Sequence, residues 1–253
     1  MGLYTNEIVS ILKLLRERAR ANYAKNSLCM IGKQDLQVDL SLIYKFVKQY
    51  EINCNAEEFE KLMKNDTDNI DSIEFFKILG FSDVHAADIS AYEGADIILD
   101  LNKELPPDLY QRFDFVIDGG TLEHVFDIAT AIKNMANMVK KEGYIIHGNP
   151  AAGCVNHGFY SISPYMYSEF YQANGFEINA LELRFRKYDI TKKFHYVPFA
   201  DVDCRLISNV NRFIFDMQRA VGDEFYVRTS VFCVARRKDD SPVGVYPIQN
   251  FDV

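Results

Sequence analysis

A doubly wound α/β fold, with a mostly parallel sheet closed by an antiparallel edge strand, is predicted by three features of the chain. Phe113 to Ile117 is a short apolar run closed by Asp118-Gly119-Gly120, the pattern of a buried strand ending in a tight loop. An amphipathic segment follows, in which Ile128, Ile132, Met135 and Val139 share one helical face. Asp127 is placed to cap its start, Lys140 and Lys141 to occupy its last turn, and Gly143 to stop it. A second apolar strand then runs from Tyr144 to His147. Strand, helix and strand joined by short connections predict a parallel βαβ unit with both carboxyl ends on one edge. Ligands of open sheets lie at that edge. The loops there hold Asp118, Glu123 and His124 after the first strand, and His147, Asn149 and His157 after the second.

The composition narrows the function classes. With 253 residues, 48% of them hydrophobic, the chain can bury a full core, and disorder is not expected. A net charge of −8 argues against a broad nucleic-acid footprint and favours a small-molecule substrate. The five cysteines, at 29, 54, 154, 204 and 233, form no CxxC pair or zinc-finger spacing, and reduced thiols are expected. MGLYTNEIVSILKLLRERAR carries polar and charged residues where a signal peptide has its apolar stretch, and no segment approaches a membrane span. The cytoplasm is the expected location.

In chain order, Thr5 to Tyr23 reads as a helix with Ile8, Leu12, Leu15 and Ala19 on one face and arginines opposite. Residues 1–26 are assigned to this amino-terminal helix, and 27–235 to the main domain. SLCMIG, from Ser27 to Gly32, is the first sheet strand. Residues 33–81 form a helical insertion of three segments, LSLIYKFVKQY, AEEFEKLMKN and SIEFFKILGF. Val84 to Asp88 and Ala95 to Leu99 are short strands that end at Asp88 and Asp100, and Pro106-Pro107 marks a turn. After the central βαβ unit, Ser163 caps a helix from Tyr165 to Asn174, with Pro164 in its first turn and Gly175 at its stop. Phe176 to Phe185 and Phe225 to Ala235 are expected to pair antiparallel. Residues 186–224, with the aromatic KKFHYVPFADVD and a helix near Arg212 to Val221, read as a lid-like insertion. Residues 236–253 form a carboxyl-terminal arm.

The order of these pieces resembles a class I S-adenosylmethionine-dependent methyltransferase, with its Rossmann-like sheet, over about Ser27 to Ala235. The resemblance implies positions for the donor. Gly32 falls where a glycine loop passes the methionyl part, and Asp88 where a carboxylate holds the ribose hydroxyls. Asp100 and Leu101 fall where the adenine is flanked, and Asp118, Gly119 and Gly120 where the fourth strand meets the sulfonium end. Here the first loop reads IGKQDLQ with one glycine, where the family carries several.

Leu122-Glu123-His124-Val125 with Asn156-His157-Gly158-Phe159 is similar to the metal-assisted O-methyltransferases that use ExxEH and a downstream histidine. Glu123, His124 and His157 match, whereas the first glutamate position is Gly120. The resemblance implies a divalent metal, Mg²⁺, Mn²⁺, Fe²⁺ or Zn²⁺, on Glu123, His124 and His157, and a catalytic role for the same three residues. HGFYSISP, GADIILDLN and FDFVIDGGTLEHVFD also look like methyltransferases of bacterial capsule and surface-polysaccharide clusters, including those serving O-methyl phosphoramidate decoration.

The function these readings imply is methyl transfer from S-adenosylmethionine to an oxygen of a small, nucleotide- or phosphate-linked acceptor, with His124 or His157 as base. Arg184, Arg186 and Lys187 are candidates to hold an anionic acceptor. The alternative is a catalytically silent methyltransferase-like subunit that binds a partner enzyme, which the reduced glycine loop favours.

Overall fold

The computed structural model describes residues 2–23, 26–64, 70–154, 156–189, 196–203 and 225–248, together with 212, 216 and 219. The chain divides into two compact units, Met1–Asp100 with Arg112–Gly119 and Leu101–Gln111 with Gly120–Val253.

The first unit begins with strand β1 (Gly2–Tyr4) and helix α1 (Thr5–Arg20), followed by β2 (Ser27–Ile31) and β3 (Asp35–Gln37). Helices α2 (Leu40–Gln49), α3 (Ala56–Lys64) and α4 (Ser72–Ile78) are the three expected helical segments. Asp39 and Asp71 accept from the backbone N–H groups of Leu42 and Glu74, so α2 and α4 start where an aspartate satisfies a first-turn donor. Strands β4 (Asp83–Asp88), β5 (Ile97–Ile98) and β6 (Phe113–Asp118) complete the unit. Four strands lie parallel in the order β5-β4-β2-β6, with Ile31 opposite both Ala87 and Asp118. Every residue of β2 and β6 is buried, as expected of parallel strands covered on both faces. The pair β1 and β3, three residues each and parallel, had no sequence signal strong enough to predict it.

Two expectations for α1 fail. Ile8, Leu12 and Leu15 are buried as the periodicity requires, and Ile11 with them, but Ala19, expected on the same face, is exposed, and Arg18 is buried. Its Nη2 meets Asp114 Oδ1 at 2.6 Å and its Nε donates to Asn26 Oδ1 at 2.6 Å. Asp114 Oδ2 also accepts from the N–H and hydroxyl of Ser27. The guanidinium therefore ties α1 to β2 and β6 through a buried, hydrogen-bonded ion pair.

The second unit holds α5 (Ile128–Met138), β7 (Val139–Ala152), α6 (Pro164–Ala173), β8 (Phe176–Asp189), β9 (Tyr196–Asp203) and β10 (Phe225–Arg237). Strand β10 pairs antiparallel with β7 on one side and with β8 on the other, and β9 pairs antiparallel with β8. The expected pairing of Phe176–Phe185 with Phe225–Ala235 is present, with Cys233 opposite Leu181. Parallel strands interleaved with helices in one unit, and an antiparallel ladder with helices in the other, give the α/β, Rossmann-like class. Part of the stretch expected to be a lid is the strand β9. Of the helix expected near Arg212 to Val221, only Arg212, Asp216 and Arg219 are among the described residues, and each has helical backbone.

Asp127 caps α5 as expected, but the helix ends at Met138, and Lys140, Lys141 and Gly143 belong to β7. The cation at the helix end is Arg237, brought from β10. Its Nη1 donates to the carbonyls of Ala136 and Val139, at 3.3 and 2.9 Å. It thereby satisfies orphan carbonyls that the neighbouring lysines were expected to face. The arm after Asp239 is also held: Asn137 bonds both backbone groups of Val243, and Asn174 bonds Gly244 and Val245. Among the described residues, no helix is long and apolar enough to cross a membrane.

Candidate active site

The second unit brings Glu123, His124 and His157 together. Glu123 and His124 sit on a 3₁₀ turn, Leu122–His124, and His157 on the loop after β7. The two loops are fastened by backbone: the N–H groups of Phe159 and Tyr160 both donate to the Glu123 carbonyl, at 2.8 and 3.2 Å. Gly158 fits between them, since a Cβ there would stand 2.8 Å from that carbonyl oxygen and 3.0 Å from Glu123 Cγ. Asn156, with φ of 61°, supplies the left-handed turn that starts the approach.

The Glu123 carboxylate is fully buried, whereas His124 is exposed and His157 half-buried. Nε2 of His124 and Nε2 of His157 each lie 3.8 Å from Glu123 Oε1, and the two rings are 5.0 Å apart. Among the described residues, these three form the one group of His, Cys, Asp and Glu side chains whose donor atoms converge, within 4.8 Å of one another. One carboxylate oxygen and two imidazole nitrogens form a mixed donor set that fits Mn²⁺, Fe²⁺ or Zn²⁺. Burial, with the charges of His124 and Arg228 adding to it, lowers the pKa of His157 below the ordinary histidine value. The ring is therefore neutral near pH 7 and can ligate or accept a proton. Cys154 stands nearby, its thiol pKa raised by burial and by Glu123 against the opposing pull of Arg228.

Behind the carboxylate lies a buried polar layer. Asn149 Nδ2 donates to Glu123 Oε2 at 2.9 Å, and the Tyr167 hydroxyl donates to Asn149 Oδ1 at 2.6 Å. His147 Nε2 and the Tyr171 hydroxyl are 2.6 Å apart, and the His147 ring stacks on Tyr167 at 4.5 Å. On the outer side, Phe126 and Phe159 are exposed and meet edge to face at 5.5 Å. The Tyr160 hydroxyl holds the Phe126 carbonyl at 2.7 Å.

The residues expected to hold the donor divide between the units. In the first, the register of β2, β4 and β6 sets Gly32, Asp88 and Asp118-Gly119 at the carboxyl ends of adjacent strands. Gly32 has φ of 71°, which favours glycine. Asp88 is half-buried and Asp118 fully buried. Asp100 belongs to this unit, and Leu101 and Gly120 to the second. The space beside Gly119 is taken by Gln34: a Cβ at 119 would lie 2.1 Å from Gln34 Oε1, whose amide donates to the carbonyls of Ile31 and Gly32. Gly119 thus faces the end of a side chain of the protein itself.

Other candidates fall elsewhere. His85 is held between Asp83 and Asp96, at 2.8 and 2.5 Å, within the first unit. Arg184 is buried, paired with Glu182 and stacked over the Phe232 ring, so it serves packing and is not presented to an anionic acceptor. The side chains of Arg186 and Lys187, and His195, lie outside the described residues. Sequence reasoning missed Tyr167, Tyr171 and Arg228. The i, i+4 tyrosines of α6, facing a strand with polar residues at 147 and 149, were the available signal.

No protein-family model matches the chain, and no curated protein matches it. Among solved structures, the chain is similar to a protein of Bacillus halodurans C-125 whose name assigns it provisionally to the methyltransferases, at 12% identity and a TM-score of 0.48, over 91% of this chain and 99% of that one. It is similar to a SAM-dependent methyltransferase of Archaeoglobus fulgidus at 14% identity and a TM-score of 0.42, over 89% and 94%. It is also similar to the O-methyltransferase of a trans-AT polyketide synthase multienzyme of Brevibacillus brevis, in complex with S-adenosyl-L-homocysteine, at 11% identity and a TM-score of 0.43, over 91% and 72%.

Proposed function

We propose that the chain is an S-adenosylmethionine-dependent O-methyltransferase in which Glu123, His124 and His157 activate an oxygen of a small acceptor. One observation carries this reading: two imidazole nitrogens converge, at 3.8 Å each, on one oxygen of a fully buried carboxylate. A buried carboxylate facing two imidazoles suits proton removal from a hydroxyl, or a divalent cation. The parallel strand ends that carry Gly32, Asp88 and Asp118 support the donor half.

S-adenosylmethionine would bring the methyl group with its own leaving group, so the chain's work is alignment and proton management. Gly32, Asp88, Asp100, Leu101, Asp118, Gly119 and Gly120 are the residues assigned to holding the donor. Where the acceptor is a hydroxyl, His157 accepts its proton at Nε2 and Glu123 balances the imidazolium that forms; a phosphate or phosphoramidate oxygen, already ionised, needs positioning only. A divalent ion on the three side chains would lower the acceptor pKa. Phe126 and Phe159 offer an apolar rim for the part of the acceptor that does not react. The acceptor class we assign is an anionic precursor of bacterial surface polysaccharide, methylated at a sugar hydroxyl or at a phosphate or phosphoramidate oxygen. The positive charge of Arg228, acting on both His157 and Cys154, supports the anionic choice.

A second reading, a silent methyltransferase-like subunit, is favoured by Gln34, which packs into the strand-end corner beside Gly119. Calorimetric titration with S-adenosylhomocysteine, with Mn²⁺ and after chelation, separates the two. One-to-one binding supports the enzyme. Absence of binding under both conditions moves the assignment to the silent subunit.

A further inference from the structure

The polar layer behind Glu123 has a direction. A carboxylate oxygen can only accept, so the Asn149 amide must turn its NH₂ toward Glu123 Oε2 and its oxygen toward Tyr167. Tyr167 then has to place its single proton on Asn149 Oδ1. The order of donation, Tyr167 to Asn149 to Glu123, has no alternative while Glu123 is ionised. Glu123 and Asn149 expose no surface, and neither does Tyr167, so a lost bond would leave a buried polar group behind.

The layer is built by a match of periods. Residues two apart on a strand are separated by about 6.6 Å, and residues four apart on a helix by about 6 Å. His147 and Asn149 on β7 therefore meet Tyr171 and Tyr167 on α6 pair by pair. The His147 ring, stacked on Tyr167 with 21° between planes, fixes the phenol that directs Asn149. With Oε2 engaged by Asn149, Oε1 is the oxygen that lies 3.8 Å from both imidazoles.

We propose that Asn149 and Tyr167 are positioning residues that orient the Glu123 carboxylate toward His124 and His157. The inference rests on reading those three side chains as the acceptor site, and it assigns α6 a part in that site.

The test uses histidine ring resonances at fixed pH. The chain has five histidines, so its imidazole spectrum can be assigned by single substitutions. Glu123→Gln gives the reference displacement of the His124 and His157 signals. Asn149→Ala and Tyr167→Phe are expected to move the same two signals in the same direction, whereas Tyr171→Phe moves His147 and leaves them in place. Should Asn149→Ala fail to fold, Tyr167→Phe, which keeps the ring, decides. His124 and His157 signals that stay put in the folded variants, or that do not respond to Glu123→Gln, would overturn the proposal. A Mn²⁺ titration of the same proteins tests the ion separately, with about a 10-fold loss of affinity expected in the Asn149 and Tyr167 variants. A wild-type chain without Mn²⁺ heat argues against the ion, and the resonances then decide the positioning role alone.

Discussion

Nε2 of His157 stands 3.8 Å from Oε1 of Glu123, a carboxylate with no exposed surface. That separation is too long for a hydrogen bond. His124 repeats the distance to the same oxygen from the other loop.

Replacing Glu123, His124 or His157 singly by Ala is expected to weaken Mn²⁺ binding by at least about 10-fold. S-adenosylhomocysteine affinity should stay within about 2-fold, because the residues assigned to the donor are other ones. Calorimetry on each variant measures both. A loss of donor affinity that equals the loss for Mn²⁺ would count against a separate acceptor cluster.

Gln34 and Gly119 form a second close pair, in the first unit. A Cβ at 119 would meet Gln34 Oε1 at 2.1 Å and Leu3 Cδ2 at 3.2 Å, while the Gln34 amide is committed to the carbonyls of Ile31 and Gly32. Gly119→Ala is therefore expected to destabilise by about 1–3 kcal/mol. Adding Gln34→Ala should recover part of that loss, so the two substitutions are non-additive. Urea unfolding of the two single variants and the double variant gives the coupling. Strict additivity would mean that Gln34 is not what requires glycine at 119.

The elements with strong periodicity were legible in the sequence. β2, β4, β6, α2, α4, α6 and the β8–β10 pairing follow from apolar runs, caps and turn residues close to them in the chain. The departures come from partners distant in sequence. Arg18 is buried because Asp114 waits 96 residues away, and α5 ends at Met138 because Arg237 satisfies its carbonyls from β10. The site was legible in part for the same reason. Glu123, His124 and His157 flank a strand that the sequence marks, whereas Asn149 and Tyr167 gain their meaning only when α6 lies against β7.

His85 and Asp96 predict an acid-sensitive contribution to stability. Partial burial pushes the Asp96 carboxyl upward, but the Ala86 N–H and the His85 ring outweigh it and hold its pKa below the usual value. A lowered folded-state pKa contributes stability above the unfolded value, near pH 4, and this is lost as the pH falls through the folded value. The stability gap between wild type and Asp96→Asn should be full at pH 7 and shrink below about pH 4. Urea midpoints at pH 7, 5 and 3 measure it. A gap independent of pH would remove Asp96 from the account.

Gly158 makes a prediction about the cluster without touching any donor atom. A Cβ at this position would stand 2.8 Å from the Glu123 carbonyl oxygen, 3.0 Å from its Cγ and 3.2 Å from its carbonyl carbon. The carbonyl cannot move aside cheaply, because it accepts from Phe159 and Tyr160 together. The strain must therefore pass into the two loops and shift Glu123 against the imidazoles. Gly158→Ala is expected to destabilise by about 1–3 kcal/mol and to weaken Mn²⁺ binding by about 10-fold. S-adenosylhomocysteine affinity should remain at the wild-type value. Thermal unfolding and calorimetry on one protein preparation check all three. Wild-type Mn²⁺ affinity in a destabilised Gly158→Ala chain would mean that the loops, and not the placement of Glu123, absorb the added methyl group.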